Sequence, residues 1–153
     1  MDYLLDTNIL LVYVRGNDVT KEIESELQLL SGNHNLMTSV VSVGEIQSLA
    51  IRNKWGPRKV KNLQHLLNQF LIADINVEDI IKKYAEIDAY SQGKLPEKVS
   101  SFSARNMSKN DLWIAATGTV LNLVLVTTDH DFDHLHDTYL KVKKVDLAKY
   151  LKK

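Results

Sequence analysis

Residues 123–132, LVLVTTDHDF, carry the clearest structural signal in the chain. The first six of these residues are apolar or β-branched, a composition typical of a strand that is buried in a parallel sheet. The run leads directly into Asp129, and Asp131 follows two residues later. Because ligands of parallel α/β sheets bind beyond the carboxyl ends of the strands, this stretch predicts a buried strand that carries carboxylates to a candidate site.

Strand-like and helix-like runs alternate on both sides of this stretch. Strands are predicted at residues 3–5, 35–39, 70–75, 123–128 and 138–145. Helices are predicted at residues 8–16, 19–32, 39–55, 57–70, 77–93 and 111–122, with a short helix at 129–135 and a terminal helix or tail at 146–153. Gly32 is expected to cap the second helix, and Ser39 or Ser42 the third. The alternation predicts an α/β fold, a three-layer α/β/α sandwich with a central, mainly parallel sheet.

The bulk composition fits one domain over residues 1–153 and excludes several classes of protein. The chain has only two prolines and six glycines, and it shows neither a linker nor an internal repeat. The absence of cysteine excludes a disulfide framework and a thiolate metal site. No signal-peptide pattern and no run of 18 apolar residues occurs, so we expect a cytoplasmic protein without a membrane span. The 19 basic and 19 acidic side chains cancel, so any binding of nucleic acid would depend on local basic patches.

Acidic residues fall near the ends of predicted strands and the starts of predicted helices. Asp6 follows the first strand and Asp129 follows the strand at 123–128, while Asp111 opens the helix before that strand. Glu45 lies about one turn into the third helix, among apolar neighbours. Taken singly, each aspartate could be only a helix N-cap, and Glu45 could pair with Arg52. The individual residues therefore leave a structural and a functional interpretation open.

Taken together, the acidic residues favour a metal site. All of them are expected at one edge of the sheet, and two like charges about 4 Å apart repel by roughly 4 kcal/mol at an effective dielectric near 20. Protons or cations must compensate such a cluster. An oxygen-only ligand set favours Mg²⁺ or Mn²⁺ over zinc. Such an ion suits phosphodiester hydrolysis, because it lowers the pKa of a bound water and neutralises charge on the phosphate.

Four motifs in the chain resemble those of PIN-domain proteins. They are LLDTNIL at residues 4–10, SVGEI at 42–46, NDLWIAATG at 110–118 and LVTTDHDF at 125–132. Each motif alone is unspecific, but the four occur in the order and approximate spacing of the family. The chain resembles in particular the bacterial VapC ribonucleases, the toxins of VapBC toxin–antitoxin modules, from Asp2 to about Leu135.

The resemblance implies a metal-dependent endoribonuclease that cleaves single-stranded RNA with one or two Mg²⁺ or Mn²⁺ ions. Carried over to this chain, it implies the catalytic residues Asp6, Glu45, Asp111 and Asp129. The metal ligands would be Asp6, Asp111, Asp129 and, less firmly, Asp131. Hydrogen bonds that hold the site together are expected from Thr7, Asn8, Thr127 and Thr128. The resemblance also implies a VapB-like antitoxin as partner and a homodimer.

Basic residues near these motifs are candidates for RNA binding. The loop at residues 94–110 is longer than in many relatives, and its Arg105 and Lys109 shortly precede Asp111. Arg52 and Lys54 begin a basic cluster that follows the Glu45 helix. These side chains could meet RNA phosphates beside the metal, or they could belong to a solvated surface.

Several further residues are assigned by the same resemblance or by their surroundings. Partner contacts are expected at Leu10, Leu11 and Tyr13 or around Trp55. Trp113 is predicted to be a core residue rather than a base-stacking platform. The histidines at 130, 134 and 136 are interpreted as a polar surface segment rather than a zinc site.

Three alternatives stand beside the ribonuclease prediction. A haloacid-dehalogenase-like phosphatase would need Asp-x-Asp after the first strand, where this chain has Asp6-Thr7-Asn8. A receiver domain would need a phosphoacceptor aspartate after the third strand, and Asp74 is poorly placed for that role. An inactive PIN-like module that only binds RNA or a protein would keep the fold without the chemistry. Cleavage of RNA that stops with EDTA would separate an active nuclease from such a module.

Overall fold

A five-stranded sheet forms the centre of the computed structural model, which describes residues 1–98 and 100–151. Its strands are β1 (Asp2–Leu5), β2 (Asn35–Ser39), β3 (Leu71–Ala73), β4 (Val124–Thr127) and β5 (Val142–Lys144). The strand order is β3-β2-β1-β4-β5, and all four pairings are parallel. The predicted sheet is therefore confirmed.

Helices cover both faces of the sheet. They are α1 (Thr7–Arg15), α2 (Asp18–Leu27), α3 (Val40–Arg52), α4 (Pro57–Leu67), α5 (Glu78–Ser91), α6 (Lys109–Val120), a 3₁₀ helix (His130–Leu135) and α7 (Leu147–Leu151). Helices α1–α4 and α7 contribute to the core on one face, and α5, α6 and the 3₁₀ helix to the core on the other. This is the predicted three-layer sandwich. Within the described residues, no helix has the length and apolar character needed to cross a bilayer.

The two central strands supply side chains to both cores. Leu5 and Val126 pack under α1–α4, whereas Leu4 and Leu125 pack under α5 and α6. All four are at most 1% exposed. Successive side chains of a strand point to opposite faces, so a strand covered on both sides must be apolar at every position. This explains why the apolar run in β4 is continuous rather than alternating.

The predicted end of α2 and the predicted length of the last strand are wrong. Helix α2 ends at Leu27 rather than at Gly32, because Gln28 takes the left-handed conformation with φ of 50°. The Glu24 carboxylate then accepts hydrogen bonds from the N–H groups of Leu30 and Ser31, which stabilises the chain after the helix. The last strand spans only three residues, and Lys152 and Lys153 of the predicted C-terminal segment lie outside the described residues.

The predicted cap of α3 is confirmed, and two further boundaries follow from local residue chemistry. Ser39 caps α3, since its Oγ accepts a hydrogen bond from the N–H of Val41 at 3.1 Å. Pro57 occupies the first turn of α4. Asn122 takes the left-handed conformation in the turn before β4, with φ of 54°.

The strand order creates a crevice at the carboxyl edge of the sheet. The chain leaves β1 for β2 on one side and later returns to place β4 on the other side of β1. Such a reversal opens a gap between the connections that leave the two central strands, and ligands of open α/β sheets bind there. Asp6 directly follows β1, and Asp129 follows β4 by two residues. The topology therefore brings these two carboxylates together across the crevice.

Candidate active site

Asp6 is the most buried carboxylate of the site, with 4% of its surface exposed. Its Oδ1 accepts a hydrogen bond from the Thr7 N–H at 2.7 Å, and its Oδ2 accepts one from Thr127 Oγ1 at 2.7 Å. Burial raises the pKa of Asp6, and the charges of Glu45 and Asp129 raise it further against these two hydrogen bonds. Asp6 is thus both the N-cap of α1 and a residue held in place by two neighbours.

A chain of hydrogen bonds links Asp6 to the segment after β4. Thr127 Oγ1, which donates to Asp6, also accepts a hydrogen bond from the Asp129 N–H at 3.0 Å. Asp129 Oδ1 in turn accepts from the Asp131 N–H at 2.9 Å and caps the 3₁₀ helix. The backbone after the strand is therefore fixed, so Asp129 and Asp131 have defined positions.

Asp111 enters the site from the first turn of α6. The N-cap of that helix is Ser108, whose Oγ accepts a hydrogen bond from the Asp111 N–H at 3.1 Å. Asp111 is therefore the third residue of α6 rather than its N-cap, and the prediction that it opens the helix is wrong. The pattern Ser-x-x-Asp, which is typical of capping at a helix start, was a sequence signal for this arrangement.

Three carboxylates converge at the crevice. Asp111, Asp129 and Asp131 each offer one oxygen atom, and these atoms lie within 4.8 Å of one another. Burial, followed by the charges of Asp6 and Asp129, raises the pKa of Asp111 to about 7. Burial and the neighbouring Asp129 also raise the pKa of Asp131. Among residues 1–98 and 100–151, none of the salt bridges involves Asp6 or the three converging aspartates.

Glu45 lies at the border of this cluster, on α3. It accepts a hydrogen bond from Thr7 Oγ1 at 2.9 Å, and its charge contributes to the raised pKa of Asp6. It also lines a cavity of about 500 Å³ together with Ser48, Arg52 and Asn110. None of the ion pairs among the described residues joins Glu45 to Arg52, whose Nε–H donates to Ser48 Oγ. Asn110 was not a sequence candidate, because nothing in the sequence relates it to α3.

The remaining candidates differ in their burial and in their surroundings. Asn8 is exposed, and Thr128 is half-buried beside a cavity of about 450 Å³ that it shares with His130 and Lys144. Lys109 is exposed two residues before Asp111. Arg105 is exposed, and its charge lowers the pKa of Asp131 against the larger effect of burial.

Lys54 lies apart from the other basic candidates. It lines a groove between α3 and α4 with Ile51, Trp55 and Leu63, whereas Arg52 shares the cavity of Glu45. Two residues of the predicted basic cluster therefore face different depressions of the surface.

The histidine and tryptophan predictions have mixed outcomes. His130 and His136 are exposed, but His134 is half-buried and lies 2.8 Å from Ser91 Oγ, so its assignment to the polar surface is wrong. The possible ligand cluster among the described residues contains aspartates alone. Trp113 is half-buried against the core under α5 and α6, with its ring 4.3 Å from that of Tyr84.

The donor set fits a hard divalent cation. Its ligand atoms are carboxylate oxygens, which Mg²⁺ and Mn²⁺ prefer. The pKa of Asp111 is raised to about 7 by burial and by the surrounding negative charge, so both favour a protonated carboxyl group near neutral pH. A divalent cation between the three aspartates would replace that proton and relieve the repulsion.

Comparison with known proteins connects this geometry to a family. A family model described as the PIN domain matches residues 3–137. A search of curated proteins found no significant match. Among solved structures, a chain of VapBC2 from Rickettsia felis bound to a DNA fragment from their promoter superposes with a TM-score of 0.76 at 23% identity, covering 95% of this chain and 100% of that chain.

Two further structures show the same fold. A chain of VapBC-1 from nontypeable Haemophilus influenzae superposes with a TM-score of 0.69 at 26% identity, covering 94% of this chain and 98% of that one. A chain of VapBC-5 from Mycobacterium tuberculosis, a member of the VapBC family of toxin–antitoxin systems, superposes with a TM-score of 0.62 at 18% identity and the same two coverages. The similarity thus extends over nearly the full length of each matched chain.

Proposed function

The chain belongs to the PIN-domain family, and from this premise we propose that it is a Mg²⁺- or Mn²⁺-dependent endoribonuclease, the toxin of a type II toxin–antitoxin pair. Nuclease activity is typical of the family. The observation that carries the proposal is the group of three aspartate oxygens within 4.8 Å of one another. Folding alone gives no reason to gather such charges, because they repel one another. A cation that binds a phosphodiester substrate explains them.

The residues that would hold the metal are Asp111, Asp129 and Asp131, with Asp6 beside them. Both oxygens of Asp6 already accept a hydrogen bond, and each keeps a second lone pair for a metal or a metal-bound water. When bound, the ion supplies the positive charge that activates a water and stabilises the phosphoryl oxygens. Thr7 and Thr127 orient Asp6, and Thr7 also orients Glu45.

Glu45 is the proposed catalytic residue beside the metal ligands, and Asp6, Asp111 and Asp129 are proposed to be both ligands and catalytic residues. Glu45 is half-buried and borders the open cavity, so it can accept a hydrogen bond from a water that approaches the phosphorus. No side-chain nucleophile is required, because the attacking group is water.

Single-stranded RNA is the proposed substrate, and the cytoplasm is the proposed location of the protein. Arg52 lies in the cavity of Glu45, Lys109 precedes Asp111 by two residues in the chain, and the charge of Arg105 lowers the pKa of Asp131. Lys54, which lines another groove, is proposed only as a peripheral phosphate contact. Cations on two sides of the acidic centre would hold successive phosphates of a strand that passes across it.

The test is metal-dependent cleavage of single-stranded RNA by the purified protein. We expect cleavage with Mg²⁺ or Mn²⁺, none with EDTA, and recovery when metal is added back in excess. Asp6→Asn should remove activity while leaving the folded structure intact by circular dichroism. Cleavage that persists in EDTA, or equal activity of Asp6→Asn and wild type, would contradict the proposal. RNA binding without any cleavage would favour the inactive PIN-like module.

A VapB-like antitoxin is the proposed protein partner. Three structural neighbours belong to VapBC complexes, and this chain has a groove of about 470 Å³ between α3 and α4 that suits an apolar segment. Ile51 on its rim is 79% exposed. Leu10 was also expected at a partner surface, but it is fully buried, so that assignment is wrong. Co-purification with the product of a neighbouring reading frame, and its loss in Ile51→Glu, would test this interface.

A homodimer is proposed as the solution state. An apolar patch on the edge strand β3 and the start of α5 is exposed to solvent, and it consists of Leu71, Ile72, Val77 and Ile81. Large apolar patches on a soluble surface mark interaction sites. Light scattering should give twice the monomer mass, and Ile72→Lys should return the monomer; a monomeric wild type would contradict the proposal.

A further inference from the structure

A buried contact joins α5 to the 3₁₀ helix behind the acidic cluster. Ser91, the last residue of α5, is fully buried, and its Oγ lies 2.8 Å from His134 Nε2. Its hydroxyl also donates to Met107 Sδ at 3.3 Å. A hydroxyl has one proton, so both contacts form together when the His134 Nε2–H donates to Ser91 and the Ser91 O–H donates to Met107. Neither residue has a part in the site described above.

Both residues of this contact also hold the loop before α6. The Arg105 N–H donates to the Ser91 carbonyl at 2.7 Å, and the ring of Phe102 packs edge-on against that of His134 at 5.0 Å. Residues 100–108 have no helix or strand of their own. Their position therefore depends on contacts of this kind, which join the loop to Ser91 and His134.

Arg105 is the cation that this loop presents to the acidic cluster. Burial lowers the pKa of His134 and the Arg105 charge lowers it further, while the same charge opposes the rise in the pKa of Asp131. The Arg105 guanidinium carbon lies 5.9 Å from the centre of the Phe102 ring, and that ring in turn packs against His134. Within the described residues, none of the ion pairs involves Arg105. Lys98, in contrast, lies 3.8 Å from Glu86 and 4.0 Å from the centre of the Tyr139 ring.

We propose that Ser91 and His134 are positioning residues that hold Arg105 beside the acidic cluster, where its guanidinium binds a phosphate of the RNA strand next to the cleaved bond. This inference rests on the proposed function and adds to it a specific phosphate contact with its support. A guanidinium suits this role because its planar donors match a phosphate in a bidentate geometry. A phosphate that is not cleaved is bound equally in the ground state and the transition state. Loss of its contact therefore raises KM and leaves kcat nearly unchanged.

A purely structural Ser91–His134 contact makes a different prediction. In that case Ser91→Ala would lower stability and total activity without any relation to Arg105. If Ser91 acts through Arg105, the two substitutions are coupled, and the double variant is no worse than Arg105→Ala alone. The coupling therefore separates positioning from stability.

The experiment measures kcat and KM for a single-stranded RNA oligonucleotide cleaved with Mg²⁺ by wild type, Ser91→Ala, Arg105→Ala and the double variant. We expect KM to rise about tenfold in each variant, the size of a lost hydrogen bond to a charged group, with kcat within about twofold. Arg105→Lys should recover part of the loss. His134→Gln, on the other side of the contact, is the second variant if Ser91→Ala lowers the melting temperature too far for kinetics.

A binding measurement with the same oligonucleotide in EDTA provides a readout that does not need cleavage. The slope of log Kobs against log salt is negative, and its magnitude should decrease by about 0.7 in Arg105→Ala, the contribution of one phosphate contact on a single strand. In Ser91→Ala the magnitude of the slope should decrease by less. Lys98→Ala is the matched control from the same loop, and its slope should equal that of wild type.

The outcomes separate this inference from the proposed function. Additive KM effects of Ser91→Ala and Arg105→Ala, or an unchanged salt slope in Arg105→Ala, would overturn the inference while wild-type cleavage stands. A wild type that binds RNA without cleaving it would overturn the proposed function, and the salt slopes would still decide the role of Arg105. Absence of RNA binding by the wild type would overturn both.

Discussion

Asp131 and Asp133 lie two residues apart in the 3₁₀ helix, yet their surroundings are opposite. Asp131 faces Asp129 and Asp111, and burial and the Asp129 charge raise its pKa. Asp133 faces Lys144 at 2.7 Å and His130 at 3.4 Å, which lower its pKa in spite of partial burial. One carboxylate is neutralised by the protein, and the other belongs to a cluster that the protein leaves negative.

This difference separates charge that the protein itself compensates from charge that the proposed cation would compensate. The Asp133–Lys144 pair is exposed, so it contributes about 1 kcal/mol or less to stability. The Asp111–Asp129–Asp131 cluster lowers the stability of the protein without a cation, because its charges repel at short distance. A cluster of that kind is retained by a benefit other than folding, and cation binding supplies one. The acidic residues of this segment therefore form two classes with different expected behaviour.

The largest expected effect separates the two classes by activity. Asp129→Asn should lower metal-dependent RNA cleavage by more than about 100-fold, since changes to residues that merely orient a metal ligand cost 10–100-fold. Asp133→Asn, the matched control from the same segment, should keep activity within about threefold. Initial rates at saturating Mg²⁺ provide the measurement. Equal losses in the two variants would mean that the segment matters for its structure rather than for the acidic cluster.

An intermediate effect is expected where the fold meets the cluster, at Thr127. Thr127→Val removes the hydroxyl that donates to Asp6 and accepts from Asp129, so cleavage should fall about 10–100-fold. Stability should fall by about 1–3 kcal/mol, because buried partners are left unpaired. Thr38→Val is the control: Thr38 is equally buried, but its hydroxyl donates to the Leu5 carbonyl rather than to a carboxylate. Urea denaturation should show a similar loss of stability in Thr127→Val and Thr38→Val. Cleavage rates should fall in Thr127→Val alone.

The smallest effect is a difference in pH dependence. The pKa of Asp111 is raised to about 7 in the folded protein, so folding favours the protonated carboxyl group. The contribution of that group to the free energy of unfolding is lost as pH rises from about 4 through 7. The pKa of Asp133 is lowered, so its contribution is present above the ordinary aspartate pKa and is lost as pH falls. In EDTA at pH 8, Asp111→Asn should therefore be more stable than wild type by about 1 kcal/mol, after allowance for solvent screening.

Urea denaturation of the same two proteins at pH 5 and pH 8 provides the control for this prediction. The advantage of Asp111→Asn should be smaller at pH 5, where wild-type Asp111 is largely protonated. Asp133→Asn should show no gain at either pH. An advantage of Asp111→Asn that is independent of pH would show that the raised pKa does not govern its stability.

Much of the fold could be predicted because apolar pattern and turn chemistry act locally. The continuous run in β4 predicted burial on both faces, and Ser39, Pro57 and Asn122 act at the boundaries where their chemistry favours them. The prediction failed at Gly32, because Gln28 takes the left-handed conformation and the Glu24 carboxylate then binds backbone N–H groups six and seven residues later. That contact competes with the glycine signal and cannot be recognised from residue type alone.

The sequence by itself determined which elements form and which carboxylates follow the strands. These properties depend on neighbours in the chain, and the four motifs added the family by resemblance. Only the tertiary structure decided which carboxylates form an ion pair, because pairing joins residues that are distant in sequence. Lys144 neutralises Asp133 from β5, Thr127 reaches Asp6 across 121 positions of the chain, and Ser91 meets His134 across 43. The strand order brings these partners together, and no local pattern encodes that order.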